Sequence, residues 1–434
     1  MSSLSRREFL FAGASVAFAR PSDPADITIR ISEITLELSR KKTLRTIAYN
    51  GQVPGPLLKM TEGRQVTVDV INETNDPDMV HWHGFHIPAE VDGAHEEGTP
   101  MVMGHDRRRY VFTPGPVGTR WYHSHAIAGF DLKKGTYSGQ FGMVVIESKS
   151  EPGGYDLDTP IVLHDWEPYF SPEKDGDINY RSFSVNGKML GAGEPVRVKS
   201  NQRVLFRVLN ASATLKHRLA LPHHVFQVIA LDGNPVANRK SVAVLELSPG
   251  ERVDAIVEMK TPGVWILGEE DATQRQAGAG IVVEYAQARG PVQWNAPPAS
   301  PWDYTAFGEA KETRSVESTI PLVFENQHNG HLYSINGKSF PDTDPIRLRS
   351  GSRHRLVFEN RSNEEHPMHL HRHTFEIVRF AGKPTAGVLK DVVAVPAKQV
   401  VEVELVADQP GPSLFHCHQQ FHMDFGFMAL AQCK

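Results

Sequence analysis

INGKSFPDTDPIRLRSGSRHRLVFEN, residues 335–360, opens on an Asn-Gly turn, passes a short alternating strand after a proline, turns again and closes on a second alternating strand at Asn360. The same order of features stands at VNGKMLGAGEPVRVKSNQRVLFRVLN (185–210) and at YNGQVPGPLLKMTEGRQVTVDVIN (49–72). From the Asn of Asn-Gly to the closing Asn the intervals are 24, 24 and 22 residues. Self-similarity of this kind marks a duplicated unit, and Asn-Gly between alternating runs marks a hairpin. VTVDV, VLFRV and RLVFE have the two-residue period of strands, and nothing of helical length is strongly amphipathic. The expected fold is all-β: three antiparallel β-sandwich domains with Greek-key connections.

Composition sets the boundaries between the units. SKSEPGG at 148–154 closes the first, and the segment opening GPVQWNAPPASPW at 290–302 closes the second. The expected organisation is a first domain over 26–150, a second over 155–289, a proline-rich linker over 290–316 and a third over 317–434. Proline density makes that linker an extended segment across the surface. A net charge of −5 over 434 residues gives no electrostatic case for nucleic-acid binding. Gly 35 and Pro 30 with 22% charged residues suit a turn-rich β protein better than a helical one.

The N-terminus carries an address. Ser5-Arg6-Arg7-Glu8-Phe9-Leu10 is a twin-arginine motif, and the apolar run LFAGASVAFA (10–19) ends on an A-x-A-like cleavage site, Ala17-Phe18-Ala19. The bland alternative is a basic tail with an accidental arginine pair. The expectation is a twin-arginine signal peptide over 1–19, with export to a bacterial periplasm or to the medium. The run is too short to span a bilayer, and no other segment reaches 18 uninterrupted apolar residues, so a monomer without a stable membrane anchor is expected.

Only two cysteines are present. Cys417 stands in LFHCHQQFHMDFGFM (414–428), between His416 and His418, with His422 five residues on. A disulfide to Cys433 would leave those histidines unexplained, and Cys433 reads as a buried or terminal thiol. A thiolate flanked by imidazoles is the donor set of a soft-metal site, above all trigonal His2Cys copper. The 21 histidines include five H-x-H pairs, at 81/83, 123/125, 369/371, 371/373 and 416/418, where random placement gives roughly one. In a strand, residues i and i+2 share a face about 7 Å apart, so H-x-H presents two imidazoles side by side. One such pair is more often a surface or core accident than a metal site. Four non-overlapping pairs, divided evenly between the first and third units, imply several metals at the interface of those domains. His366, set out of phase with the following H-x-H by Pro367, would join Cys417 and His422 in a mononuclear copper site. His416 and His418 would point to the opposite face, which makes Cys417 a covalent link between two metal centres.

HWHG (81–84), WYHSH (121–125), HPMHLHRH (366–373) and HCHQQFH (416–422), with GQVPGP (51–56) and VDG (91–93), resemble the copper motifs of the three-domain multicopper oxidases. That family includes laccases, bilirubin oxidases and periplasmic cuprous oxidases. The resemblance spans the mature chain and implies three cupredoxin-like Greek-key β-sandwich domains, the middle one without copper ligands. It implies four coppers: type 1 on His366, Cys417 and His422; type 2 on His81 and His369; and a type 3 pair on His83, His123, His125, His371, His416 and His418. Asp92, eleven residues past His81, matches the family's acid beside the trinuclear site; its plainer reading is a turn aspartate in Asp-Gly. The implied enzyme is an oxidoreductase that couples one-electron oxidations of a small reducing substrate to four-electron reduction of O2 to water. Substrate would donate at His366 or His422, Cys417, His416 and His418 would carry electrons, and Asp92 would supply protons.

The departures are also informative. Phe427 stands at the axial position where several bacterial relatives have methionine and cannot coordinate, and Met428 comes one residue late. Met423 replaces a glutamate that some relatives place near the cluster. Arg372 stands where many laccases have glycine, its parity pointing it away from the type 3 pocket. His86, His95, His105, His223, His224 and His373 read as surface or supporting residues. Cuprous oxidases resemble one another in a methionine-rich segment, whereas the 11 methionines here are scattered, with only Met101 and Met103 close together. Oxidation of phenolic or aromatic-amine substrates is therefore expected ahead of cuprous-ion oxidation in copper tolerance. From another class, the rival is a copper-free exported scaffold of the same fold, and retention of all ten histidines and the cysteine argues against it.

Overall fold

The computed structural model describes residues 24–148, 154–173, 176–309, 314–327 and 332–434; the twin-arginine stretch at 1–19 lies outside them. Strands make up about 50% of the chain and helix about 6%. Each third of the chain contributes two main sheets. In the first, one sheet runs Lys42–Tyr49, Ile27–Ser39, Val66–Asn72, Arg107–Phe112, and the other Leu58–Thr61, Phe141–Glu147, Gly118–Ser124, Val80–His83. In the last, the sheet that carries the histidine motifs runs Ile346–Leu348, Met428–Cys433, Gly411–Cys417, His366–Leu370, Val392–Val395. The architecture is all-β and cupredoxin-like.

One expectation needs correction. The sheets are mixed, not antiparallel throughout: each of the six main sheets holds one parallel pair, such as Ile27–Ser39 with Val66–Asn72 and Ser318–Gln327 with Arg353–Asn360. In each domain the opening strand lies beside a later strand running the same way. The antiparallel reading considered only the local hairpins.

The three Asn-Gly turns are built alike. Asn50, Asn186 and Asn336 have φ of 52°, 51° and 54°, and the glycines after them have φ of 72°, 73° and 78°. That left-handed pair is the hairpin turn for which Asn-Gly is favoured. Each asparagine also ties the turn to the domain's opening strand. Its side chain accepts from the backbone N–H of Arg30, Val162 or Val323 and donates to the carbonyl of Thr28, Pro160 or Pro321. The closing asparagines match as well: Asn72, Asn210 and Asn360 each donate to two or more backbone carbonyls and accept from the N–H two residues on. Local sequence thus fixes three equivalent corners on which the loops are hung.

The segment expected to cross the surface between the second and third domains is anchored in the interior. Residues Tyr304–Phe307 form a short 3-10 helix whose Tyr304 and Phe307 are buried in an apolar core shared by both domains. The Tyr304 hydroxyl donates to Glu251 Oε1 at 2.5 Å. Proline density describes the rest of the stretch; the two aromatic rings override it here.

Candidate metal centres

Strand register brings the histidine pairs together. His81 lies opposite His123 across one antiparallel pair, and His369 lies opposite His416 across another. Within the four pairs the ring centroids are 5.5, 6.1, 4.9 and 5.8 Å apart, as one face of a strand or its first turn requires. All eight rings are 6% exposed or less. They come from the first and third domains and form one buried cluster.

Two triads of rings can be traced within the one cluster. His125, His371 and His416 form a triad with centroids 5.1, 5.2 and 5.1 Å apart. His83, His123 and His418 form a second, at 5.6, 5.0 and 5.3 Å. His81 and His369 lie 5.7 Å apart, and each is also stacked at 3.8 Å on a triad ring, His81 on His371 and His369 on His83.

Fixed acceptors set the tautomers. Nδ1–H donates to a backbone carbonyl in His81 (Asp92 O, 2.9 Å), His123 (Ser124 O, 2.8 Å), His369 (Asp391 O, 2.7 Å) and His416 (Cys417 O, 2.8 Å). His371 Nδ1 donates to Asp92 Oδ2 at 2.8 Å. His83 is reversed: its Nε2 donates to Asp391 Oδ1 at 3.0 Å. The other nitrogen of each ring is then a bare lone pair.

Those lone pairs are the test of whether a metal fits. Nε2 of His81, His123, His125 and His369 and Nδ1 of His83 are buried without a hydrogen-bond partner among the described residues. His371 Nε2 and His416 Nε2 face one another at 3.0 Å, and both rings already use Nδ1 as the donor. Buried unpaired acceptors are costly, and two of them pointed at each other more so. A cation between them resolves both problems, and neutral imidazole is what copper binds. Burial first, then the neighbouring imidazoles, holds His123, His369, His371 and His416 well below the ordinary histidine range, which keeps those rings neutral.

The second centre is mononuclear. Cys417 Sγ lies 3.5 Å from His422 Nδ1 and 4.0 Å from His366 Nδ1, and the two nitrogens are 3.2 Å apart. Ser362 Oγ at 2.7 Å occupies His366 Nε2, which turns Nδ1 inward. Burial pushes the Cys417 thiol up and His366 down to about 3. The set His366, Cys417, His422 is compact enough for one ion. His366 reaches its place by a simpler route than a break of phase at Pro367. The strand His366–Leu370 is continuous and pairs in register with Val392–Val395. Three residues' separation alone puts His366 and His369 on opposite faces.

Three supporting residues carry no motif. Asp391 serves His83 through its carboxylate and His369 through its carbonyl. Glu97, on the turn His95–Glu97, lies 3.2 Å from His371 Nδ1 and accepts from Leu414 N–H at 2.5 Å. Burial, and then the adjacent Asp92, drives the Glu97 carboxyl well above its usual range. Arg252, from the middle domain, grips Asp391 through two hydrogen bonds of 2.7 and 2.6 Å. Asp92 itself closes the short helix Ala89–Asp92, where Gly93 follows at φ 98° because a Cβ there would fall 2.0 Å from the Val80 carbonyl.

The departures take their places too. Arg372 sits in a turn at φ 61°, so strand parity does not apply to it, and its guanidinium donates to the carbonyls of Ile87, Pro410 and Pro412. Met423 and Met428 pack with Ala94 and Leu414. The Phe427 ring lies 4.9 Å from that of His366, edge-on. Of the remaining histidines, His86 bonds Thr374, His105 bonds Asn75, His224 bonds Tyr285 and His373 bonds the His371 carbonyl. His223 packs on Trp265, and His95 is exposed.

Multicopper oxidase family profiles match residues 30–151, 158–286 and 312–432. The chain is 30% identical over 423 residues to the multicopper oxidase MmcO of Mycobacterium tuberculosis, covering 88% of this chain and 82% of that one. This chain belongs to the multicopper oxidase family. Its similarity to Laccase-2 of Fomitopsis schrenkii is 27%, over 88% of this chain and 84% of that protein. A solved multicopper oxidase from Pseudomonas thermotolerans superposes with a TM-score of 0.76 at 25% identity, covering 95% of this chain and all of its own. This multicopper oxidase is a copper oxidoreductase that uses O2 and a reducing substrate. Among its described residues no helix is long and apolar enough to cross a membrane.

Proposed function

We propose that this multicopper oxidase is laccase-like, taking electrons one at a time from phenolic or aromatic-amine donors at the Cys417 site and delivering four to O2 at the histidine cluster. The observation that carries this is the pair of buried donor sets joined by one residue: Cys417 belongs to the first, and its neighbours His416 and His418 to the second. Type 1 copper is assigned to His366, Cys417 and His422, type 2 to His81 and His369, and type 3 to the triads His83, His123, His418 and His125, His371, His416. Copper, when bound, supplies the one-electron chemistry and the O2 binding. The protein supplies the rest. Cys417 connects the two sets through the backbone and through the hydrogen bond from His416 Nδ1 to its own carbonyl.

Of the two imidazoles beside Cys417, His422 is the entry point. A cavity of about 360 Å³ is lined by His422, Phe421, Ile178, Leu215 and Glu364 and not by His366, whose outer nitrogen is taken by Ser362 Oγ. Among the described residues no methionine lines that cavity, so none of them offers there the soft thioether that favours a cuprous substrate. That supports phenols and aromatic amines over Cu(I). On the O2 side, Asp92 holds His371 and His81, and burial beside Asp92 pushes the Glu97 carboxyl well up, which favours its neutral form. The Glu97 carboxyl is the proton donor proposed beside Asp92.

The N-terminal motif supports twin-arginine export to the periplasm or medium, and the working unit is proposed to be a monomer. Copper analysis with a visible spectrum tests the reading, followed by O2 uptake on phenols and on Cu(I). Four coppers per chain, a strong thiolate-to-copper band and faster uptake on phenols support it. Faster uptake on Cu(I) would reassign the substrate, and copper-free native protein would make it the scaffold.

A further inference from the structure

The middle domain carries none of the assigned ligands, yet its side chains hold two of them in place. Arg252 is fully buried, and its guanidinium forks onto Asp391: Nη1 to Oδ1 at 2.7 Å and Nη2 to Oδ2 at 2.6 Å. Its remaining hydrogens go to the carbonyls of Gly250, Asp232 and Thr119. Asp391 stands between this fork and the cluster, accepting from His83 Nε2 at 3.0 Å and, through its carbonyl, from His369 Nδ1 at 2.7 Å. A second middle-domain residue fixes the backbone of the same aspartate. Asp232 Oδ2 accepts from the N–H of Asp391 at 3.3 Å and of Val392 at 3.1 Å.

Two glycines keep the approach open. A Cβ on Gly84, of HWHG, would lie 2.6 Å from Asp391 Oδ2 and 2.7 Å from Arg252 Nη2. A Cβ on Gly250, in the middle domain, would lie 2.8 Å from the His418 ring. The first glycine admits the fork and the second admits the ring.

We infer that the middle domain organises the histidine cluster: Arg252 and Asp232, acting through Asp391, fix the tautomer of His83 and the position of His369. His83 belongs to the first domain, Asp391 to the third and Arg252 to the second, so the arrangement is complete only when all three are docked. His83 is the one ring held through Nε2, which leaves Nδ1 as its donor atom. Without Asp391 oriented to accept that proton, it can sit on Nδ1 instead and block the lone pair. Outer hydrogen-bond partners of metal-ligating histidines act in this way, and losing one typically lowers metal affinity about 10- to 100-fold. Arg252, Asp232 and Asp391 are positioning residues; none of them touches O2 or the donor in this account. The inference rests on His83 and His369 being ligands.

The test uses full-length, copper-loaded protein with Arg252→Met, Arg252→Lys and Asp391→Asn. The control is Arg207→Met, which breaks the buried Arg207–Asp254 pair (3.3 Å) in the same sheet without touching an imidazole. Copper per chain, the blue band, the paramagnetic resonance of the cluster copper and the melting temperature are read for each. Arg252→Met is expected to keep the blue band while cluster copper affinity falls about 10- to 100-fold; Arg252→Lys, which keeps the charge but not the fork, falls less. The control keeps both. Full cluster copper with an unchanged resonance in the Arg252 and Asp391 variants overturns the inference, and so does equal copper loss in the control. If Arg252→Met does not fold, the Lys and Asn variants decide by the same criteria. Wild-type protein with copper only at Cys417 would instead overturn the ligand assignment itself, a separate result.

Discussion

The Cys417 site and the histidine cluster share a backbone and are built by opposite means. At Cys417 the donors come from one domain, within 57 residues of chain, and the walls are largely apolar: Phe427 beside His366, and Tyr333 stacked on His422 at 4.1 Å. The Ser362 hydroxyl supports His366, and the Glu364 carboxylate lies 3.8 Å from His422 Nε2. The cluster takes rings from two domains and supports them with backbone carbonyls, three carboxyl groups and an arginine from a third. The contrast teaches what each chemistry needs. On the proposed assignment the Cys417 centre only accepts and passes an electron, and its largely apolar, buried walls set its potential. A centre where O2 becomes water must be fed protons and must keep eight rings in the correct tautomer, so its surroundings are polar and spread across the molecule.

The largest effect should come from cutting the link between the two. Cys417→Ser is expected to remove the blue band and reduce phenol oxidation to background, while the histidine cluster keeps its copper. Metal analysis and absorption spectra check this. Loss of cluster copper as well would mean that the two sites are not built independently.

Next comes proton supply. Asp92→Asn keeps the shape and removes the charge. O2 reduction is expected to slow about 10²- to 10⁴-fold, the usual range for a general acid, with anaerobic reduction of the blue copper unchanged. Stopped-flow measurement of each half-reaction separates the two. Equal slowing of both would point to a misfolded site and erase the contrast. Glu97→Gln sharpens the same point with a smaller effect of about tenfold, because its amide can still accept from Leu414 N–H. A wild-type rate of O2 reduction in that variant would remove Glu97 from the proton path.

How much of this could be read along the chain follows from the range of each interaction. H-x-H pairs, Asn-Gly turns and the Cys417 stretch are local: two-residue parity places the rings, and the strands confirm the spacing. Residues that act across domains leave no such trace. Asp391 meets His83 from 308 positions away, and Glu97 meets Leu414 from 317. Glu97 sits in HEEG, which reads as an exposed acidic turn; its spacing of five residues from Asp92 was the available signal. Arg252 lies in the domain without histidine pairs, and no local pattern links it to the cluster. The mixed sheets were missed for the same reason, since parallel neighbours are distant in sequence while hairpins are adjacent.

The smallest expected effect tests the apolar half of the comparison. Phe427 is fully buried, its ring 4.9 Å from His366 and stacked on Tyr333 at 5.6 Å and 7°. Met428 follows it and opens the strand Met428–Cys433, and its side chain packs with Ala94, Leu414 and Met423. That packing keeps the thioether out of the Cys417 site. Phe427→Met would place a weak sulfur donor beside the copper, favour the oxidised ion and lower the potential. The swap exchanges one large apolar side chain for another, so the stability cost should be about 1 kcal/mol. The variant should stay blue, with a lower midpoint in a redox titration and slower oxidation of phenols that are poor reductants. Met428→Leu should leave the midpoint where it was. If instead Met428→Leu raises the potential and Phe427→Met does nothing, the axial ligand is the thioether of Met428 and the site is not tuned by exclusion.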